Sequence, residues 1–127
     1  MGMPAAKQGD RVTAVDPHLI LPPSGPTVTV PHAFSGVLAQ QLSPDVRILG
    51  RAAATVGSVA VNTPPHIPQG GTFVNPPANR GTVRTGSASV RINGRAAARG
   101  GDSAQTCADP PNPGGKVVAV GTVRIGG

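Results

Sequence analysis

The sequence predicts an all-β fold, a small domain of short hairpins and Pro/Gly-rich loops in which three similar units surround an approximate threefold axis. Three observations carry that expectation. Gly and Pro supply 18 and 15 of the 127 residues, a share at which a low-complexity, disordered chain has to be weighed. Against disorder stand a hydrophobic share of 38% and alternating runs such as "TVTV" (27–30) and "SVAV" (58–61), which read as half-buried strands. The third observation is a repeat: "VRILGRAAATVG" (46–57) returns as "VRINGRAAARGG" (90–101), with Val46, Arg47, Ile48, Gly50, Arg51, Ala52, Ala53, Ala54 and Gly57 each recurring 44 positions later.

A further copy is divided between the two ends of the chain. Ala5, Ala6, Gly9 and Asp10 match Ala97, Ala98, Gly101 and Asp102, and the missing "VRI" half stands at the far end as "VRIGG" (123–127). The cycle closes, giving one domain over 1–127 with units of approximately 1–45, 46–89 and 90–127. In the divided unit the two termini form the arms of the hairpin, so Met1 and Gly127 are expected to be neighbours.

From the amino terminus onward, "GDRVTAVDPH" (9–18) leaves the first alanine-glycine segment as a strand-like arm, and residues 27–33 return as a strand. Phe34, Leu38 and Leu42 recur at four-residue steps and suggest a short helical turn over 34–42, although Gly36 is a poor helix former. Residues 45–49 and 88–92 lead into turns at Gly50 and Asn93-Gly94; the second dipeptide suits the positive φ angles of a tight hairpin. Residues 56–62, 82–85 and 116–125 complete the strands, and "PPSGP", "NTPPHIPQGG", "NPPANRG" and "DPPNPGG" read as proline-fixed loops.

The core is thin: Trp and Tyr are absent, and Phe34 and Phe73 are the two large rings. Small domains with weak cores recruit disulfides, a metal or a partner, and the single Cys107 excludes an internal disulfide. His18, His32, His66 and Cys107 supply three imidazoles and one thiolate, the complement of a closed tetrahedral zinc site. His18 and His66 each follow a repeat glycine by nine residues, and Cys107 follows Gly101 by six, so each unit sends out an arm that ends in a candidate ligand. His32 lies on the returning path of the first unit and completes the four. Ligands separated by 14, 34 and 41 residues are unlike a zinc finger, where close pairs dominate, and such an ion ties distant parts of the chain together at the apex. Four protein ligands leave no position for substrate, so the expected role of Zn2+ is structural.

"PAAKQGD" (4–10), "GRAAATVGS" (50–58) and "GRAAARGGD" (94–102), with the three His and one Cys, resemble the Pro-Ala-Ala-Arg signature of PAAR-repeat proteins. Lys7 stands where that signature has Arg, and the literal tetrapeptide is absent. The resemblance implies a conical β protein that caps a trimeric β-helical spike, one copy per trimer, at the tip of a contractile injection machine such as a type VI secretion system or a phage-tail-like particle. It implies transient contact with a target membrane, and cargo recruitment as an alternative role.

Enzymatic function has little support. The acids are Asp10, Asp16, Asp45, Asp102 and Asp109, without a Glu and without paired-acid spacing, and Cys107 as a nucleophile competes with its simpler reading as a metal ligand. A net charge of +6 raises a nucleic-acid-binding module as a second alternative. The arginines recur at equivalent repeat positions, Arg47, Arg91 and Arg124, then Arg51 and Arg95, and aromatics for base stacking are scarce, so no nucleic acid is expected. The start "MGMPAAKQGD" lacks the apolar segment of a secretory signal, and no apolar run reaches membrane-spanning length; synthesis in the cytoplasm and assembly onto the particle are expected. With "VRIGG" closing the chain, no appended toxic domain is expected.

Overall fold

The computed structural model describes residues 2–127. Thirteen strands and no helix are present among them. In chain order they are β1 (Met3–Pro4), β2 (Arg11–Leu21), β3 (Val28–Gln40), β4 (Arg47–Ile48), β5 (Arg51–Ala52), β6 (Val59–Asn62) and β7 (Thr72–Phe73). There follow β8 (Arg80–Val83), β9 (Arg91–Ile92), β10 (Arg95–Ala96), β11 (Ser103–Thr106), β12 (Asn112–Val118) and β13 (Arg124–Ile125).

Six of these strands close a barrel. β2, β3, β6, β8, β11 and β12 pair antiparallel in chain order, and β12 returns to β2 through Lys116↔Thr13, Val117↔Val12 and Val118↔Arg11. Closure removes the unpaired edges that a small open sheet would expose. β7 adds to the far end of β2, with Ile20 opposite Phe73.

The other six strands form three two-stranded ribbons, β4–β5, β9–β10 and β1–β13. The first two turn through Leu49-Gly50 (φ 52° and 79°) and Asn93-Gly94 (φ 53° and 79°), the paired positive φ values that match the twist of a two-residue hairpin. In the third, Met3 pairs with Ile125 and Pro4 with Arg124, so the two ends of the described chain meet; Met1 lies outside the described residues.

Between ribbons and barrel lie the alanine segments. Ala6 N–H donates to the Ala98 carbonyl, Ala98 N–H to Ala54, and Ala54 N–H to Ala6, each at 3.0 Å, in a closed cycle of three. All three alanines are fully buried, and a larger side chain at these positions would have to displace the facing backbone. On the ribbon side, Ala5, Ala53 and Ala97 pack with Ile48, Ile92 and Ile125. On the barrel side, Ala6, Ala54 and Ala98 pack with Val12, Ala60 and Ala104 and with Leu38, Val83 and Val117, each trio drawn from equivalent repeat positions.

The turn leaving each alanine segment is also repeated. Gly9, Gly57 and Gly101 hold φ of 93°, 97° and 91°, and their N–H groups donate to Leu38, Val83 and Val117. The turn is braced by Lys7–Asp10 in one copy and Arg99–Asp102 in another, both at 3.1 Å. In the middle copy the neutral pair Thr55 and Ser58 substitutes, with Ser58 Oγ accepting from Thr55 N–H at 2.9 Å.

The helical turn expected over 34–42 is not formed; residues 28–40 are strand β3. Phe34, Gly36 and Leu38 face inward and their neighbours outward, because a four-residue step is also two strand periods. Gly36 is required by this packing: a Cβ there would sit 2.8 Å from the Phe34 ring and 2.9 Å from Ala60 Cβ. The arm from Gly9 is the eleven-residue strand β2, whose Pro17 lies opposite Pro31 where neither residue needs an amide proton. Part of the loop expected at 109–115 is the start of β12.

Candidate metal centre

The barrel places its chemically distinctive side chains at the end away from the alanine cycle. On β2, alternation turns Val12, Asp16, His18 and Ile20 inward. In the β2–β3 register Asp16 is opposite His32 and His18 opposite Val30, so His32 reaches the same interior from the neighbouring strand. His66 comes from the proline-rich loop after β6, and Cys107 follows the last residue of β11.

Asp16, His18, His66 and Cys107 present ligand atoms that all lie within 4.8 Å of one another. His32 adjoins this group, its ring centroid 5.2 Å from that of His18 and 5.5 Å from that of His66. Three of the four residues expected as ligands, His18, His66 and Cys107, share this group with an aspartate that was not expected; His32 stands beside it and is not one of the four whose ligand atoms converge. The only phenylalanines bracket the cluster: Phe34 packs against His66 from the barrel interior at 6.0 Å, and Phe73 lies 5.3 Å from His18 and 5.5 Å from His32.

Each imidazole is oriented by a second group. His18 Nδ1 faces Asp109 Oδ2 at 3.3 Å, and Asp109 is itself fixed by accepting from Leu19 N–H. His32 Nδ1 donates to the Val30 carbonyl at 2.9 Å. In both rings this leaves Nε2 free, and both Nε2 atoms are buried without a partner. A buried polar atom left unpaired is costly, and an imidazole that donates from one nitrogen while the other points into a cluster of donors is the usual arrangement of a metal ligand. His66 is held at both nitrogens, by Asn62 Nδ2 at 3.2 Å and by Asp16 Oδ2 at 3.1 Å.

Electrostatics suit a cation. Burial holds His18 below the ordinary histidine range, opposed by Asp109 and reinforced by His66, which favours the neutral ring that a metal needs. Burial pushes the Cys107 thiol up to about 11, with Asp16 adding to the shift. A divalent ion reverses that preference by stabilising the thiolate. The donor set of imidazoles and one sulfur is the chemistry zinc takes in structural sites. The residues present fit such an ion.

Asp16, Asn62, Asp109 and Phe73 are not among the site residues expected from the sequence. The signal for Asp16 was the i, i+2 spacing in "DPH" (16–18), which on a strand puts both residues on one face.

A closed antiparallel barrel, sealed by a cycle of alanine segments and holding a buried cluster of imidazole, thiol and carboxylate, defines a structural protein with a candidate metal clasp. The chain matches the PAAR motif family over residues 30–105 and belongs to that family, whose domains are structural rather than catalytic. No curated protein matches the chain. His32 and His66 fall within the matched span, and Asp16, His18 and Cys107 outside it.

Proposed function

We propose that this protein is the tip of a contractile injection spike: a conical, pseudo-threefold cap that sits singly on a trimeric β-helical spike and sharpens it for puncturing a target envelope. The observation that carries this reading is the closed cycle of Ala6, Ala54 and Ala98 hydrogen bonds with its three equivalent ribbons. A single chain that repeats one surface three times can meet a partner with true threefold symmetry, which a monomer of arbitrary shape cannot.

The ribbon face also fits such a partner. Arg47, Arg91 and Arg124 are exposed, and each donates from Nη1 to an equivalent carbonyl, of Gly50, Gly94 and Gly2, at 3.4, 3.3 and 3.0 Å. Met3, Leu49, Val90 and Val123 add exposed apolar surface on the ribbon segments. Three oriented cations around an apolar patch suit a trimeric rim that carries acidic groups.

At the opposite end His18, His32, His66 and Cys107 hold one Zn2+, with no catalytic role. The ion ties β2, β3, the loop after β6 and the end of β11 into one unit, so that loops near the point resist splaying when force is applied. Roughly 10–16 kcal/mol is available from structural zinc in small peptides, enough to matter to a domain with two aromatic residues. The chain is made in the cytoplasm and leaves it on the assembled particle.

Mixing the purified protein with its cognate spike and weighing the complex by native mass spectrometry tests the reading. One copy per spike trimer is expected, and three copies per trimer, or no complex, would contradict it.

A further inference from the structure

We propose that Asp16 is a fifth member of the metal centre, a positioning carboxylate that holds His66 and Cys107 in place before the ion arrives and supplies the counter-charge once it is bound. This rests on the metal reading above. Three neutral imidazoles and one thiolate leave a divalent ion with a net positive charge in a buried site, which is unfavourable unless compensated. Asp16 is 0% exposed and lies inside the ligand group itself. Its charge offsets that excess from inside the ligand group, whereas Asp109 stands behind His18.

The two oxygens of Asp16 do different things. Oδ1 accepts from the Thr106 hydroxyl and from Asn112 Nδ2, which ties it to β11 and β12. Oδ2 faces the ligands, 3.1 Å from His66 Nε2 and 3.6 Å from Cys107 Sγ. The four expected ligands therefore fall into two pairs. His18 and His32 present unpartnered nitrogens, whereas His66 and Cys107 are drawn to a single carboxylate oxygen anchored by the barrel wall.

With an ion bound, His66 and Cys107 would hold it in place of their hydrogen bonds to Oδ2. The thiol proton leaves to solvent. His66 would take the tautomer with its hydrogen on Nδ1, which costs it the bond to Asn62 Nδ2, because the Asn62 oxygen is already held by Ser35 N–H. Asp16 stays in contact as an anion beside the cation, as carboxylates do behind ligands in many metal sites.

The test compares the full chain with Asp16→Asn and Thr106→Val, each stripped of metal and titrated with zinc against a chromophoric chelator, and then loaded with Co2+ for spectroscopy. Asp16→Asn is expected to weaken zinc binding by about 10- to 100-fold and to shift the thiolate-to-cobalt charge-transfer band. Thr106→Val keeps the carboxylate but removes the Thr106 bond to Oδ1, leaving only the longer one from Asn112, and a loss of several-fold is expected. A merely structural role would lower the melting temperature with and without metal while leaving the chelator competition and the cobalt band unchanged; that outcome overturns the proposal. If Asp16→Asn fails to fold, Thr106→Val decides, and wild-type affinity in that variant overturns it. Failure of the wild-type chain to bind zinc at all would instead remove the metal reading on which the proposal stands.

Discussion

The metal-facing side chains set the sharpest expectations for single residues. Cys107 is held as a thiol by burial and is the sole thiol in the chain, so Cys107→Ser removes the softest ligand without changing shape. Zinc affinity is expected to fall by at least ~100-fold, with loss of the metal-dependent rise in melting temperature. His18 sets a pH dependence. Its folded pKa lies below the unfolded value near 6.5 because burial disfavours the charged ring. The unfolded chain therefore binds more protons as pH falls, and the stability contribution present above 6.5 is lost through the window below it. Melting curves of the metal-free protein from about pH 8 to about pH 5 should move downward; an upward shift would contradict the burial argument.

Backbone strain gives an opposite case. Leu49 occupies the left-handed region at φ 52° in the turn where the sister copy has Asn93 at φ 53°. Its side chain is 56% exposed and contributes little burial. Leu49→Asn relieves strain that L-residues other than Asn and Gly pay at such positions, and about 0.5–1 kcal/mol of added stability is expected by denaturant titration. Gly36 is the reverse. Its missing Cβ leaves room for the Phe34 ring, and Gly81 performs the same service from β8, where a Cβ would lie 3.2 Å from that ring. Gly36→Ala should cost about 1–3 kcal/mol through overpacking.

Among elements, the turn after each alanine segment shows how one backbone solution tolerates two chemistries. Lys7 and Asp10 are 8% and 7% exposed and form an ion pair; Lys7 Nζ also donates to the Val120 carbonyl. The middle copy replaces both charges with Thr55 and Ser58. Asp10→Ser alone strands a buried ammonium and should cost about 3–5 kcal/mol. Adding Lys7→Thr should recover much of that loss by copying the middle unit, and a double variant no more stable than the single would show that the pair acts by other means.

The same elements show what could be read from the sequence. The ribbons were legible because Gly50 and Asn93-Gly94 name their turn type. Strand β3 was half-read: its first residues alternate plainly, but the steps from Phe34 to Leu38 to Leu42 fit a helix as well as a strand until the barrel fixes the period. The strand-like arm from Gly9 is longer than its local pattern suggests, because Pro17 ordinarily demotes a strand and is tolerated here only through its pairing with Pro31. Asp16 is hard to read from sequence because its role depends on the face of β2 that it shares with His18.

For the molecule as a whole, the repeat gives an economy of contacts in which each trio of equivalent residues fills one level of the interior, from Ile48, Ile92 and Ile125 to Leu38, Val83 and Val117. The proximity of His18, His66 and Cys107 was legible from residue count and repeat position, since each arm carries its side chain to the same end; His32 has no such repeat position and lies beside them. The cluster joins segments as much as 91 residues apart, and an ion bound there only in the folded state would add its binding free energy to stability. The proposed spike-binding face belongs to this scale too. Replacing Arg47, Arg91 and Arg124 together by Glu should abolish spike capping in a pull-down while leaving the metal end and its melting behaviour unchanged.

The most direct measurement is anomalous diffraction from crystals of the purified protein at the zinc absorption edge. A single peak enclosed by His18, His32, His66 and Cys107, with Asp16 beside it, is expected. A crystal grown from metal-replete protein that shows no peak there, or one elsewhere on the surface, would contradict the clasp and the mechanical role built on it.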